Sequence, residues 1–224
     1  MIKPIILCSD CLEGLLQMDE STADLCLIDP PYFDYKTGYR KDKADKLSQS
    51  IVQQPRDEQI EVIRQCIRIL KPDQAFFVFT NWENIWWISQ PFLSLWRNMI
   101  IWDKGNWTAG DLKGSFGNQY EVILLGSKGK WEFKGKRESD IWRIAGIGAS
   151  PSRIHPTEKP VELYLKIIEN STNVGDFVVD PYCGSGSSAE AAFRLGRNFL
   201  GYEIDKVYYD RILKRINNLG VKDD

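Results

Sequence analysis

Leu25-Cys26-Leu27-Ile28-Asp29-Pro30-Pro31-Tyr32 is the stretch on which the reading of this chain turns. Four apolar residues in a row read as a buried strand. An acid, two prolines and an aromatic ring follow at its carboxyl end, where open α/β sheets bind ligands. The prolines fix φ and carry no N–H, so the carbonyls around them are held still and left free to accept. A carboxylate beside a fixed carbonyl, with a ring next to them, suits a planar amino group on an aromatic base. The same residues also suit a plain strand-ending turn, because Asp and Pro are common turn formers. Partners elsewhere in the chain decide between the two.

The chief partner is Phe177-Val178-Val179-Asp180-Pro181-Tyr182-Cys183-Gly184-Ser185-Gly186. It reads as a short apolar strand, a glycine turn and a helix start. Glycine permits the sharp turn and a close ligand approach, and a helix start offers free N–H groups. Glu203, in Gly201-Tyr202-Glu203, ends the next strand, where an acid can accept from both hydroxyls of a ribose. Gly184-Ser185-Gly186-Ser187-Ser188-Ala189 also fits the G-x-G-x-x-A dinucleotide fingerprint, so a dehydrogenase is a rival reading. Asp180 argues against it: a carboxylate at the mouth of the turn repels a pyrophosphate but pairs with an ammonium group. A ligand with an adenine, a ribose and an amino-acid tail fits better, and S-adenosyl-L-methionine (AdoMet) is one.

Between and around these motifs, strands and helices alternate, which predicts an α/β fold with a mostly parallel central sheet and helices on both faces. Strands are expected over residues 4–8, 23–28, 75–79, 99–102, 120–125, 177–179 and 199–202, with shorter candidates at 131–133 and 141–144. Apolar residues Ile60, Ile63, Cys66, Ile67 and Leu70 recur at helical spacing from Pro55. Lys71-Pro72-Asp73 reads as the stop of that helix. A tryptophan-rich helix broken at Pro91 should follow the 75–79 strand. Further helices are expected over 161–168, 190–195 and 207–219. Residues 33–54 are polar and aperiodic, and are expected to form a mobile basic loop. Residues 104–150 offer room for a small DNA-recognition region. No repeat or linker appears, so one domain over 1–224 is the simplest account.

The chain has 224 residues, 43% hydrophobic and 27% charged, which is ordinary for a globular protein. No apolar run nears the ~20 residues of a membrane span, and the N-terminus lacks a signal-peptide pattern, so a cytoplasmic location is expected. A net charge of −2 advertises no nucleic acid, but local clusters do. Lys36, Arg40, Lys41, Lys43 and Lys46 lie with Tyr35 and Tyr39. Lys128, Lys130, Lys134, Lys136 and Arg137 lie with Trp131 and Phe133. Basic residues among aromatics can hold phosphates and stack on bases; solvated surface is the plainer reading. The odd count of five cysteines argues against a disulfide framework. Cys8 and Cys11 have C-x-x-C spacing. A metal site would need two more ligands, and the chain has a single His155 and no second such pair. A packed thiol at Cys8 is preferred over redox or metal chemistry.

With both motifs in view the chain resembles the amino-group DNA methyltransferases, and most closely their permuted β class, which modifies N6 of adenine or N4 of cytosine. The family's D-P-P-Y matches Asp29, Pro30, Pro31 and Tyr32. Its D-P-F-x-G-x-G matches Asp180 to Gly186, with Tyr182 in place of phenylalanine. Its H-P-T-x-K-P matches His155 to Pro160, and the catalytic motif precedes the cofactor motif, as in that class. The resemblance implies a Rossmann-like AdoMet-dependent methyltransferase fold. It gives Asp29, Pro30, Pro31 and Tyr32 the catalytic work, and the cofactor to Asp180, Pro181, Tyr182, Cys183, Gly184, Ser185 and Gly186. Glu203 would hold the ribose, Asp10 the adenine edge, and Thr157 and Lys159 the methionine carboxylate. The 155–160 segment also suits a helix-start turn. Asp29 and the Pro30 carbonyl would grip the amino group of a flipped-out base, with Tyr32 stacked on it. Adenine is the expected target, because D-P-P-Y is the commoner form in the adenine enzymes and cytosine enzymes often carry Ser first. Double-stranded DNA is the implied partner, touched by Lys36, Tyr39, Arg40, Lys41, Lys128 and Arg143. A second copy of the chain and a cognate restriction endonuclease are candidate protein partners. Rival classes are a non-catalytic DNA-binding protein on the same fold, and methylation of RNA or of a protein amide.

Overall fold

Residues 3–31, 54–107, 113–148 and 153–219 are described by a computed structural model of the chain. Tyr32 and the basic segment with Lys36, Tyr39, Arg40 and Lys41 lie outside the described residues, so the expectations placed on them do too.

Eight strands form one sheet. In chain order they are β1 (Ile5–Leu7), β2 (Ala23–Ile28), β3 (Leu70–Thr80), β4 (Trp96–Asp103), β5 (Tyr120–Lys128), β6 (Ile141–Arg143), β7 (Phe177–Asp180) and β8 (Asn198–Tyr202). Their order across the sheet is β1-β8-β7-β2-β3-β5-β4-β6. All pairings are parallel except those of β5, which runs antiparallel to both β3 and β4. The α-helices are α1 (Cys11–Leu16), α2 (Arg56–Ile69), α3 (Ile85–Ser89), α4 (Val161–Ser171), α5 (Ser187–Arg194) and α6 (Lys206–Asn218).

Side chains alternate across a strand, and this chain uses both faces. Leu25, Leu27, Phe77 and Phe79 pack with Leu163 and Ile167 of α4, Ala189 and Ala192 of α5, and Ile212 of α6. Cys26, Ile28, Phe76 and Val78 pack with Leu15 of α1, Val62, Ile63 and Cys66 of α2, and Ile88 of α3. The central strands are therefore apolar throughout rather than alternating, as a sheet covered on both faces requires.

The α2 helix ends at Ile69, just before Lys71-Pro72-Asp73, as expected; β3 begins at once at Leu70, and Asp73 takes φ 60° within it. Two expectations need correction. Residues 131–133 form no strand. Instead the Trp131 and Phe133 rings meet at a tilt of 57° with centroids 4.6 Å apart. The tryptophan-rich helix passes into a 3₁₀ segment at Gln90, and it breaks one residue after Pro91, at Phe92, where φ/ψ leave the helical region. Among the described residues no helix is long and apolar enough to cross a membrane.

The consequence for function lies at one edge. The parallel strands β1, β8, β7, β2 and β3 all end there, and each delivers a polar residue. These are Asp10, Glu203, Asp180, Asp29 and, past Thr80, Asn81.

Candidate active site

A cavity of about 290 Å³ opens at that edge. Asp29, Pro30 and Pro31 line one part of it. Pro181, Tyr182, Cys183, Gly184, Ser185 and Glu203 line another, and the rest of the wall includes Asp10, Gln54, His155, Thr157, Lys159 and Tyr208. The two motifs that the sequence separates by some 150 residues thus face one space. β2 and β7 are immediate neighbours in the sheet, with Leu25 and Cys26 opposite Val178 and Val179.

The glycine turn is built by its backbone. Gly184 has φ 53° and Gly186, the N-cap of α5, has φ 78°. A Cβ on Gly186 would stand 2.8 Å from Ile212 Cγ2 of α6. Gly186→Ala is therefore expected to destabilise the fold by about 1–2 kcal/mol from the left-handed backbone alone, read as a lowered Tm; an unchanged Tm would contradict it. Asp180 is 1% exposed and lies beneath the turn rather than on the cavity wall. Its carboxylate accepts from the Tyr182 N–H at 2.8 Å and the Ser188 hydroxyl at 2.5 Å. The structure thus gives Asp180 a turn-shaping place, where the sequence suggested direct contact with the ligand's ammonium.

Glu203 bridges the turn to α6. It accepts from the Gly184 N–H and the Asp205 N–H, both at 2.9 Å. Burial pushes its carboxyl up to about 7, and burial does the same to Asp180. Asp10 caps α1, accepting from the N–H groups of Leu12 and Glu13 at 2.8 and 3.1 Å. Burial holds the His155 imidazole down at about 4, with the Lys159 charge adding to the effect. The neutral ring packs edge-on to Tyr208, with centroids 4.3 Å apart. Its Nδ1 stands 3.0 Å from the Thr157 hydroxyl. Glu158 and Glu190 share Arg215, which also donates to the Ser185 carbonyl at 3.1 Å, so the 155–160 segment is tied to the glycine turn.

Lys159 lines the same cavity, where the sequence suggested that it binds a cofactor carboxylate. Its side chain is 4% exposed, and its ammonium forms an ion pair with Asp29. It also stands 3.7 Å from Glu121 and 5.1 Å above the Phe79 ring. Burial pushes the Asp29 carboxyl above its usual range, and Lys159 pulls it back. Burial likewise works against the Lys159 charge, but Asp29 and Glu121 outweigh it and hold the ammonium charged. Glu121 in turn stands 3.3 Å from Lys104, giving a line of alternating charges behind the Asp29-Pro30-Pro31 stretch.

The basic residues split by edge. Lys128 ends β5, opposite Gln74 at the start of β3, which is the far edge of the sheet. Its ammonium donates to the carbonyls of Arg68 and Leu70, at 3.1 and 2.7 Å. Lys130 and Lys134 follow it there, held by Asp73 and Asn170. Lys128 and its basic cluster are therefore not brought to the cavity, because β5 runs against its neighbours and carries its end away. Arg143 ends β6, which runs with β4 and so finishes at the cavity edge. It is 86% exposed, with Asp103 3.7 Å away. β5 itself is a core strand, so the 104–150 segment is not a separate module. Cys8 is exposed rather than packed, while Cys11 is buried and its thiol is pushed up to about 12 by that burial. Among the described residues no group of three or more His, Cys, Asp or Glu could hold a metal ion.

Comparison with known proteins now decides the family. The family model described as DNA methylase, covering N6 and N4 methyltransferases, matches residues 23–215. The chain belongs to the amino-group DNA methylases. This methylase is 29% identical over 249 residues to the type II methyltransferase M.HinfI of Haemophilus influenzae, covering 96% of the chain and 68% of that protein. It is 28% identical over 246 residues to the type II methyltransferase M2.DpnII of Streptococcus pneumoniae, covering 96% and 90%. Its fold matches the M1.HpyAVI–SAM complex with a TM-score of 0.73 at 24% identity, covering 96% of this chain and 99% of that one. It matches the cytosine-N4-specific PvuII DNA methyltransferase with a TM-score of 0.73 at 17% identity, covering 98% and 92%. Its methyl donor is AdoMet. The donor set fits that molecule. Acids at Asp10 and Glu203 suit an amino edge and a ribose diol, and the glycine turn leaves backbone open to the cavity.

A Glu203 that accepts from the ribose hydroxyls would set a pH dependence. Hydroxyl donors favour the carboxylate over the acid, so AdoMet affinity would then weaken as pH falls through about 7. Between about pH 8 and 6, calorimetry should show a loss of roughly two- to tenfold. A flat profile would remove Glu203 from the ribose site.

Proposed function

We propose that this methylase transfers a methyl group to the exocyclic N6 of adenine in double-stranded DNA. The observation that carries the reading is the single cavity shared by Asp29, Pro30 and the turn residues Gly184 and Ser185. AdoMet, when bound, supplies an electrophilic sulfonium methyl. The chain supplies position and charge. Asp29 and the Pro30 carbonyl accept hydrogen bonds from the two amino N–H groups of the base, which favours a tetrahedral nitrogen whose lone pair is no longer delocalised into the ring. The Asp29 carboxylate stabilises positive charge as it builds on that nitrogen, and then takes the proton. Lys159 keeps Asp29 ionised until that point. Thr157, Asp10, Glu203 and the turn residues Pro181, Tyr182, Cys183, Ser185 and Gly186 hold the donor.

A base inside a duplex is out of reach, so the target is extruded and Tyr32 stacks on it. DNA meets the edge where exposed Trp82, Trp107, Phe116 and Arg143 stand, with Lys36, Tyr39, Arg40 and Lys41 contributing phosphate contacts. Trp82 follows β3, and Trp107 and Phe116 lie between the end of β4 and the start of β5, all on the cavity's edge. The acid at position 29 favours adenine over cytosine. Protein partners for this reading are a cognate restriction endonuclease and a second copy of the chain.

The test offers labelled AdoMet and the purified chain to unmethylated DNA, RNA and protein, then analyses the nucleosides. Label in N6-methyladenine is expected. N4-methylcytosine would replace the target base, and label in RNA or protein alone would overturn the DNA reading.

A further inference from the structure

Two prolines lock φ at positions 30 and 31, but proline leaves ψ free. Something else must fix the peptide plane that closes the Asp29-Pro30-Pro31 stretch, and the structure supplies it from α2. Gln59, in the first turn of that helix, is 1% exposed. Its side-chain Nε2 donates to the Pro31 carbonyl at 2.9 Å and to the Gln54 carbonyl at 2.9 Å. Gln54 in turn accepts from the Tyr182 hydroxyl at 2.6 Å through its side-chain Oε1. Tyr182 belongs to the cofactor turn. It also stands where the family pattern has phenylalanine, a ring without this donor. One buried amide therefore closes a chain of hydrogen bonds from the cofactor turn, through Gln54, to the backbone that presents the amino-binding loop.

We infer that Gln59 is a positioning residue for methyl transfer, holding the Pro31 carbonyl and coupling it through Gln54 to the Tyr182 hydroxyl. The physical case is one of stakes. Both N–H groups of a buried amide are used on backbone carbonyls, and neither carbonyl belongs to a described strand. A carbonyl fixed by a side chain on a rigid helix turns less than one fixed by water. Misplacement of reacting groups by about 1 Å can cost on the order of 100-fold in rate. Gln59 itself does not line the cavity, so its influence runs through what it holds. The inference rests on the proposed amino-methylation reading.

The experiment measures single-turnover methylation of duplex DNA per folded molecule, with the folded fraction counted by AdoMet binding stoichiometry. Gln59→Met keeps the length and removes both donors. It should slow transfer by about 10- to 100-fold while AdoMet Kd moves by less than about threefold. A merely structural residue would lower the folded fraction and leave the rate per folded molecule alone, and that result would overturn the inference. Tyr182→Phe removes a single hydroxyl and guards against a folding failure at position 59. It should slow transfer by about 3- to 10-fold, the worth of one neutral hydrogen bond; a wild-type rate would overturn the coupling. In the double variant the losses should not multiply, and the rate should stay within about twofold of Gln59→Met alone. Independent, multiplying losses would contradict a single chain. A wild-type protein that binds AdoMet but labels no DNA would instead defeat the amino-methylation reading, which separates the two failures.

Discussion

Asp29→Asn should reduce methyl transfer by about 1,000-fold per folded molecule while leaving AdoMet affinity within about threefold. The asparagine keeps the shape of the side chain. It loses the charge that stabilises a nitrogen becoming cationic, and it has no basic oxygen to take the proton. It also presents an N–H group where the base amino group needs an acceptor. Asp29 lies at the end of β2, on the far side of β7 from Glu203 and β8, so the cofactor's ribose site should not notice the change. The variant leaves Lys159 with Glu121 as its nearest carboxylate at 3.7 Å. Some loss of stability is therefore expected, and rates must be read against the folded fraction. Retained turnover would remove Asp29 from the catalytic role. A large loss of AdoMet affinity would move it into the cofactor site.

Lys159→Met should cost about 3–5 kcal/mol of stability, because removing one member of a buried ion pair leaves the other uncompensated. Lys159 is 4% exposed, and the partner it would abandon is Asp29. The variant also moves the pH profile in a definite direction. Burial already pushes the Asp29 carboxyl up, and Lys159 is what opposes that push. Without the ammonium, Asp29 takes its proton at higher pH, and a protonated Asp29 accepts poorly. The acidic limb of the transfer rate should therefore shift to higher pH. Thermal unfolding and a pH–rate profile check the two parts. If Lys159 served a cofactor carboxylate instead, the main effect would be on AdoMet Kd, with the acidic limb unmoved.

The fold was legible because short continuous apolar runs alternate with helical spacings. The runs at 25–28, 76–79 and 177–179 are too short for buried helices and fit strands covered on both faces. The order of motifs also placed Asp29 and Asp180 at carboxyl ends of strands, and the structure makes those strands neighbours. What the sequence withheld was direction and long-range pairing. Nothing local reveals that β5 runs antiparallel, so Lys128 reads as a candidate DNA contact although its end of the strand lies at the opposite edge. Lys159 reads as a ligand for a cofactor because a lone cation in a motif has no visible partner; Asp29 is 130 residues away. Glu121 left a faint signal, a charge near the start of an otherwise apolar strand. Gln59 left another. Helical spacing draws the α2 face through Ile60, Ile63, Cys66, Ile67 and Leu70. The buried residues of α2 are Gln59, Val62, Ile63, Gln65, Cys66 and Ile69, which puts two polar amides, Gln59 among them, on an apolar stripe. A buried polar group needs partners, and those of Gln59 turned out to include the backbone of the Asp29-Pro30-Pro31 stretch.

The account stands on one geometric claim: the donor's transferable end and the amino-binding loop share a single cavity. A crystal structure with sinefungin, in which an amine replaces the sulfonium methyl, tests it most directly. That amine should lie within about 4 Å of Asp29 or Pro30, with the ribose hydroxyls on Glu203. An amine pointing away from Asp29, or a ligand seated elsewhere on the molecule, would contradict it.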